Sequence, residues 1–141
     1  PYCPKVMPRP KCQRRMGMPP SMEGFRPFGI SCEKTGKITL LFEEFEAIRL
    51  TDYEGMTQEQ AAEQMQVSRP TFTRIYEQAR RSIAKAFVEG RAIVINGGDV
   101  RFEKQWYRCR KCHKLVEGIE NHTRCTGCKR YNDDELVRIN Q

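Results

Sequence analysis

Apolar residues recur at helical spacing in the middle of the chain, and this pattern predicts three consecutive helices. In the first segment Leu41, Phe45 and Ile48 are spaced i, i+4 and i+7, which places them in one stripe on a helix. Gly55 follows the last apolar position and is expected to end the segment.

The second helix has a strong start signal. Thr57 can accept a hydrogen bond from the first turn, and Gln60, three residues later, completes a capping box. We therefore expect a helix over residues 58–65, followed by a short turn.

A third, longer helix is predicted to begin directly after that turn. Ser68 or Arg69 can cap it, Pro70 fits its first turn, and Gly90 ends it after roughly 17–20 residues. At 100° per residue one face is apolar and consists of Phe72, Ile75, Tyr76, Ala79, Ile83, Ala86 and Phe87. The opposite face carries Pro70, Arg74, Arg81 and Lys85.

Short strands are predicted on the C-terminal side of these helices. Residues 92–95 form a continuous apolar run, 96–99 have the composition of a turn, and 100–102 and 136–139 have the pattern of strands. The strand 92–95 is a possible pairing edge for a second copy of the chain. Prolines throughout the N-terminal segment argue against helix or sheet before residue 30.

The composition narrows the possible function classes. The 141 residues carry a net charge of +7, and the 38% hydrophobic content lies below the roughly 45–50% usual for globular chains. No segment approaches the roughly 18 apolar residues of a membrane span, and the N-terminus has no apolar signal region. These features predict a cytoplasmic protein with an anionic partner and no membrane association.

Much of the positive charge lies in the N-terminal segment. Residues 1–32 contain six basic residues and one acidic residue. Such an arm is either a solvated tail or a contact to nucleic acid, where Lys and Arg gain from counterion release at phosphates. The candidate phosphate contacts are Arg9, Lys11, Arg14 and Arg15.

The second and third helices match the pattern of a helix-turn-helix. Ala62 occupies the position where the two helices approach closely, and the apolar positions are filled by Ala61, Met65, Val67, Phe72 and Ile75. Gln66 departs from the glycine often found in the turn, which implies some strain there or a different turn geometry. The alternative is a plain helical hairpin with the same apolar stripe.

The exposed face of the third helix favours DNA binding over the plain hairpin. Its side chains are donors and acceptors of suitable length, and Arg74 can recognise guanine through two hydrogen bonds. The candidate DNA-contacting residues on this helix are Arg69, Pro70, Thr71, Thr73, Arg74 and Gln78.

Four segments together resemble a bacterial and archaeal family. They are residues 9–15 (RPKCQRR), 45–52 (FEAIRLTD), 54–62 (EGMTQEQAA) and 67–72 (VSRPTF). The chain is similar, from residue 8 to about 98, to domain-of-unknown-function family 134. Members of that family are described as predicted DNA-binding proteins with a helix-turn-helix similar to region 4 of sigma-seventy factors. The resemblance implies DNA binding and transcriptional regulation, and it implies no catalytic residue.

The C-terminal cysteines have metal-ligand spacing. Cys109, Cys112, Cys125 and Cys128 form two Cys-x2-Cys pairs, which suit tetrahedral Zn²⁺. Rubredoxin-type iron is the alternative metal; disulfides and haem attachment are disfavoured because the chain shows no export signal. The pairs resemble the knuckles of a zinc ribbon. Cys3, Cys12 and Cys32 match no defensible ligand pattern and are interpreted as unrelated thiols, with a second metal or redox site as the alternative.

The sequence thus predicts a mainly α helix-turn-helix domain (38–98) between a basic irregular arm (1–37) and a small β zinc-ribbon-like module (99–141). The predicted function is a sequence-specific, double-stranded-DNA-binding transcriptional regulator. A single recognition helix contacts few base pairs, so a homodimer is expected. The alternative is a zinc-containing adaptor that binds transcription machinery. An enzyme is not expected, because four sulfurs would saturate the metal and no acid–base pair is evident.

Overall fold

The computed structural model describes residues 13–110, 112–118 and 136–139, which form a mixed α/β fold. The helices within these ranges are α1 (Cys32–Thr35), α2 (Phe42–Ile48), α3 (Gln58–Gln64) and α4 (Arg69–Glu89); a π-helical turn, Arg49–Tyr53, continues α2. The strands are β1 (Arg14–Met16), β2 (Gly24–Phe25), β3 (Lys37–Leu40), β4 (Ala92–Ile95), β5 (Val100–Phe102), β6 (Trp106–Cys109), β7 (Leu115–Glu117) and β8 (Leu136–Arg138). In the described part of the chain, no helix combines the length and the apolar character that crossing a membrane requires.

The predicted starts of α3 and α4 and the predicted end of α4 are confirmed. Thr57 caps α3, and its hydroxyl accepts from the Gln60 N–H while the Gln60 side chain accepts from the Thr57 N–H, at 3.2 and 3.1 Å. Ser68 caps α4 by accepting from the Thr71 N–H. Gly90 ends α4 in the left-handed conformation (φ 64°), which glycine adopts without steric cost.

The strands form three small sheets. β1 and β5 pair in parallel, β4 lies between β2 and β3, and β6 lies between β7 and β8. Within the second sheet β4 is parallel to β3 and antiparallel to β2. Gly24 in β2 approaches the backbone of Ile93 so closely that a side chain there would collide with the Ile93 carbonyl.

Two predictions about the strands are wrong. The segment before residue 30 contains β1 and β2 in spite of its prolines, because both strands are completed by partners far along the chain, β5 and β4. The strand Ala92–Ile95 is not a pairing edge, because β2 and β3 already occupy both of its sides. Its unbroken apolar run suits a central strand.

The core consists of two hydrophobic clusters that share α4. The first cluster joins Phe72 and Ile75, near the start of α4, to α2, α3 and the π-helical turn. The second cluster joins Ala79 and Ala86 to β3 and β4. One helix therefore connects both halves of the core.

The apolar face of α4 is shorter than predicted. Phe72, Ile75, Ala79 and Ala86 are buried as expected. Phe87, which was assigned to the same stripe, is instead 77% exposed. At the far end of α4 the neighbouring elements leave this ring beside an open cavity instead of covering it.

Candidate nucleic-acid interface

Residues 65–68 form the turn between α3 and α4, and the turn has a left-handed residue at its centre. Gln66 has φ 55°, so the backbone keeps the conformation that usually favours glycine. This conformation lets the N–H groups of Gln66 and Val67 donate to the carbonyls of Glu63 and Ala62, at 3.1 and 3.0 Å. The departure from glycine therefore leads to backbone strain and not to a different turn.

The turn is held by the sheet formed by β1 and β5. The Arg15 N–H donates to the Met65 carbonyl at 3.0 Å, and the Arg101 guanidinium donates to the side-chain oxygen of Gln66. Sequence patterns gave no indication of this role for Arg101. Its only local signal is a place in a short alternating strand, and its partner lies in another part of the chain.

The two helices pack through the residues expected for close approach. Ala61, Ala62, Met65, Phe72 and Ile75 are buried, and Val67 packs on the same cluster while half-buried. Small residues at the contact allow the backbones of α3 and α4 to come close, which fixes the direction in which α4 presents its other face.

Arg74, the predicted base-contacting arginine, lies on the exposed face of α4. Pro70, Arg74 and Gln78 follow one another at i, i+4 spacing and are exposed, as are Arg81 and Lys85 further along the helix. Gln78 makes one long contact, 3.4 Å from Nε2 to the Ser82 hydroxyl. Within the described residues the guanidinium of Arg74 makes no hydrogen bond, ion pair or ring contact, so its donors are available to a ligand.

The other candidates at the start of α4 are already engaged by neighbouring side chains. Arg69 pairs with Glu59 at 3.1 Å, and the Thr73 hydroxyl donates to Gln58 Oε1 at 2.7 Å. The Ser68 hydroxyl donates to the Thr71 hydroxyl at 2.9 Å. The Arg69 pair is exposed, so it contributes little and can exchange for another anion.

Tyr76 and Arg80 form a separate cluster on α4. The Tyr76 hydroxyl donates to Asp52 Oδ1 at 2.8 Å, and this hydrogen bond to a carboxylate raises the pKa of Tyr76 above its ordinary value. The Arg80 guanidinium lies 5.4 Å from the centre of the Tyr76 ring. These contacts connect α4 to the π-helical turn.

The predicted basic arm is only partly described, and two of its described arginines, Arg14 and Arg15, are paired with acidic side chains. Arg14 Nε lies 3.1 Å from Glu43 Oε2, and its side chain is 18% exposed. Arg15 Nε lies 2.8 Å from Glu103 Oε1. The charges of both residues are therefore balanced locally, and the Arg14 pair is the less exposed of the two. Arg9 and Lys11 lie outside the described residues.

The first cysteine pair lies in the hairpin between β6 and β7. Cys109 is buried at the end of β6, and Cys112 is exposed in the turn. The His113 N–H donates to the Cys109 carbonyl at 3.0 Å, and the Cys109 N–H donates to the Lys114 carbonyl at 3.1 Å. His113 itself is left-handed, with φ 59°. Such a tight turn brings both thiols of the pair to one end of the hairpin.

The cysteine site is incomplete within the described ranges. Cys125 and Cys128 lie outside them, as do Cys3 and Cys12, while Cys32 lies in α1. No group of three or more His, Cys, Asp or Glu residues suited to a metal occurs in the described part. Two thiols from a hairpin turn are a fitting half of a tetrahedral donor set.

The hairpin is fastened to the N-terminal segment by one arginine. Arg108 in β6 donates to the carbonyls of Pro20 and Ser21, at 2.9 and 2.8 Å. Its Nε lies 3.7 Å from Glu23 Oε1. Neither contact was predictable from spacing, because the partners are far apart in sequence.

The chain is similar to a group of proteins that have no stated activity. Residues 5–103 match the family model described as "Protein of unknown function DUF134". A protein from Halothermothrix orenii, "UPF0251 protein", is 44% identical over 116 residues, which is 82% of this chain and 86% of that protein. A protein of the same name from Caldicellulosiruptor saccharolyticus is 45% identical over 130 residues, or 88% and 91% of the two chains.

An archaeal relative shares the similarity. The "UPF0251 protein" of Methanothermobacter thermautotrophicus is 41% identical over 123 residues, covering 86% of this chain and 64% of that protein. No solved structure matches the chain significantly. The family match and these identities show that the chain belongs to the DUF134 (UPF0251) family.

Proposed function

We propose that the protein is a sequence-specific DNA-binding regulator in which α3 and α4 act as a helix-turn-helix. The observation that carries this proposal is the exposed guanidinium of Arg74, unengaged within the described residues, on the free face of a capped and anchored helix. In this arrangement α3 crosses the DNA backbone and the start of α4 enters the major groove.

The side chains on this face have the chemistry that base recognition requires. Arg74 can donate two hydrogen bonds to guanine, and Gln78, one turn further on, can bind adenine in the same way. Neighbours at i, i+4 lie roughly 5–6 Å apart on a helix, so both residues can reach into one groove. The anchored turn limits the entropy lost when the helix docks.

Phosphate contacts are assigned to the exposed cations at the edges of this face. Arg69 can exchange Glu59 for a phosphate, and Arg81 and Lys85 lie further along α4. Arg9 and Lys11 remain candidates on the preceding segment. Arg14 is removed from this group, because its pairing with Glu43 and its low exposure make it a structural residue.

Substitution of Arg74 by alanine tests the assignment of base contacts. We expect the variant to fold normally and to lose roughly 1–3 kcal/mol of preference for the selected sequence over random DNA. The measurement is selection from a random DNA pool by the wild type, followed by titration of both proteins with the selected and a scrambled duplex.

Arg81→Ala is the matched control, since it removes the same charge from the same helix. This variant is expected to bind both duplexes more weakly to the same extent, and to reduce the slope of log K against log salt by about 1. If Arg74→Ala keeps the sequence preference of the wild type, Arg74 does not contact bases and the assignment fails.

The C-terminal cysteines are proposed to hold Zn²⁺. Cys109 and Cys112 would supply two thiolates from the β6–β7 hairpin, and Cys125 and Cys128 would supply the other two. A metal held by four sulfurs supplies folding free energy to a small sheet and has no open coordination position for catalysis. We accordingly propose no enzymatic activity.

The ion pairs of Arg14 with Glu43 and of Arg15 with Glu103 favour a second candidate function. This candidate is an adaptor that binds transcription machinery without specific DNA recognition. Balanced charges weaken the case for a phosphate-binding arm. The salt dependence of DNA binding distinguishes the two. A regulator with six phosphate contacts should show a slope of about −5 in log K against log salt. A shallow slope without an enriched motif would support the adaptor.

A further inference from the structure

An apolar cavity of about 500 Å³ lies at the opposite end of α4 from Arg74. It is enclosed by α2, the second half of α4 and the sheet β2–β4–β3. Phe45, Ile83, Ala86 and Ile93 are among its lining residues, and the exposed ring of Phe87 stands at its border. Its volume lies within the range of small-molecule sites.

The charged side chains that line this cavity, as far as the structure describes them, are positive. Arg26 and Arg91 line it, and no acidic side chain does so among the described residues. Arg26 is exposed on the loop after β2. The cavity therefore combines an apolar body with a cationic border.

Arg91 has unused hydrogen-bonding capacity. Its Nε is buried and has no hydrogen-bond partner in the described structure. Its other contacts are long, 3.4 Å to the Lys37 carbonyl and 3.7 Å to Glu89 Oε2. The side chain as a whole is 27% exposed, so a carboxylate in the cavity can replace the long contacts of its two terminal nitrogens with shorter, charge-assisted hydrogen bonds.

From these features we propose that the cavity binds a small amphipathic monocarboxylic acid. The hydrocarbon body lies between α2, α4 and the sheet, where it covers apolar side chains that now face water. The carboxylate lies at Arg91 and Arg26. The absence of a carboxylate among the described lining residues disfavours a cationic ligand of the same size.

The location of the cavity connects ligand binding to the proposed DNA-binding surface through α4. Ile83 and Ala86 at the cavity belong to the same helix as Arg74, and that helix joins both core clusters. A ligand packed against the end of α4 therefore acts on the element that carries the base contacts. This regulatory consequence depends on the proposed function, whereas ligand binding itself does not.

Titration calorimetry of the full chain, without DNA, tests the proposal with octanoate as the probe. We expect one octanoate per chain and at least about tenfold weaker binding of octylammonium, which has the same tail and the opposite charge. Arg91→Gln should lower the octanoate affinity by about tenfold or more, because a charged hydrogen bond is lost. Arg81→Gln, on the far side of α4, is the matched control and should bind like the wild type.

Two further variants keep the test decisive if Arg91→Gln does not fold. Arg26→Gln removes an exposed charge with little risk to the fold and should also lower the affinity for octanoate. Ile83→Phe places a larger side chain in the cavity and should abolish binding while circular dichroism shows the helices intact.

Several results would overturn the proposal. These are the absence of octanoate binding, equal binding of octylammonium, or unchanged affinity in the folded Arg26 and Arg91 variants. Gel filtration showing a dimer that Phe87→Ser dissociates, with no octanoate bound to either form, would assign this face to a second copy. The DNA selection above is made without octanoate, so failure of either proposal is recognised separately.

Discussion

The residue at the centre of the turn shows how a local cost is compensated by tertiary contacts. A left-handed conformation at a residue with a side chain costs roughly 1–2 kcal/mol relative to glycine. Gln66 adopts it nonetheless, because its N–H is hydrogen-bonded to Glu63 at the end of α3, while its side-chain oxygen and the adjoining Met65 carbonyl accept from Arg101 and Arg15 in the β1–β5 sheet. Helix packing and the β1–β5 sheet together determine the turn.

Replacing Gln66 by glycine is therefore expected to stabilise the protein by about 0.5–1 kcal/mol. The relief of backbone strain exceeds the loss of an exposed side-chain hydrogen bond and the added chain entropy of the unfolded state. Urea unfolding followed by circular dichroism measures the change. Arg101→Ala removes the same side-chain contact without changing Gln66 and serves as the control; a destabilised glycine variant would show that the contact outweighs the strain.

A second residue-scale prediction concerns Glu44, which is buried in α2. Burial raises the pKa of Glu44 above its ordinary value of 4.5, and its neighbour Glu43 raises it further, against a hydrogen bond from the Leu41 N–H. The folded state therefore binds the Glu44 proton more tightly than the unfolded state does. The stabilisation that protonated Glu44 gives is fully present below the unfolded-state pKa and is lost as the pH rises through the folded-state pKa.

Glu44→Gln should accordingly be more stable than the wild type at pH 7 and should lose this advantage near pH 4. Glutamine keeps an acceptor for the Leu41 N–H and carries no charge to desolvate. Unfolding free energies from urea titrations at both pH values measure the effect. A stability difference independent of pH would mean that shape, and not ionisation, is responsible.

At the scale of elements, the two helix starts are expected to contribute independently. Thr57→Ala and Ser68→Ala should each cost about 1 kcal/mol, because each leaves N–H groups of the first turn without their side-chain acceptor. Thermal unfolding by calorimetry measures both losses. Thr57→Ser and Ser68→Thr retain the hydroxyls and serve as controls. If these variants lose as much stability as the alanine variants, the loss is due to packing and not to capping.

The elements also show which parts of the fold could be predicted from sequence. The starts at Thr57 and Ser68 and the end at Gly90 depend on residues within a few positions, so local patterns were sufficient. β1, β2 and the central position of β4 depend on partners far along the chain, which leave no local trace. Phe87 continues the helical stripe, but whether it is covered depends on where the neighbouring elements end.

The features of the candidate site likewise divide into those that local sequence predicts and those that it does not. The exposed face with Arg74 and Gln78 followed from the helical period, and the close packing at Ala62 followed from residue size. The pairing of Arg14 with Glu43 and the contacts of Arg101 and Arg108 did not, because each joins segments that are distant in sequence and that no local pattern connects. The cavity at Arg91 likewise arises from five elements, two helices and three strands, and has no motif.

At the scale of the molecule, removal of metal should affect one end of the chain selectively. Trp106 is the only tryptophan, lies in β6 and is 9% exposed, so its fluorescence reports on the sheet β7–β6–β8. We expect a strong chelator to shift its emission to longer wavelength while the helical circular dichroism changes little. Metal analysis of the same sample identifies zinc or iron.

Cys112→Ser should reproduce the effect of the chelator, since it removes one of the proposed ligands. Cys32→Ser is the matched control, because Cys32 lies in α1 and is not one of the proposed ligands. Unchanged emission in the chelated protein and in Cys112→Ser would rule out a structural metal at this hairpin.

The parallel pairing of β1 with β5 has a consequence for the order in which the protein is built. These strands lie near opposite ends of the helical region, so the ribosome must complete residues through Phe102 before the sheet can close. Until then the contact between Arg101 and Gln66 is missing, and β1, which supplies the hydrogen bond from Arg15 to Met65, has no partner strand. A nascent or truncated chain ending before β5 would have both helices and yet a loose turn. The surface proposed to contact DNA would thus become rigid only when synthesis of this region is finished.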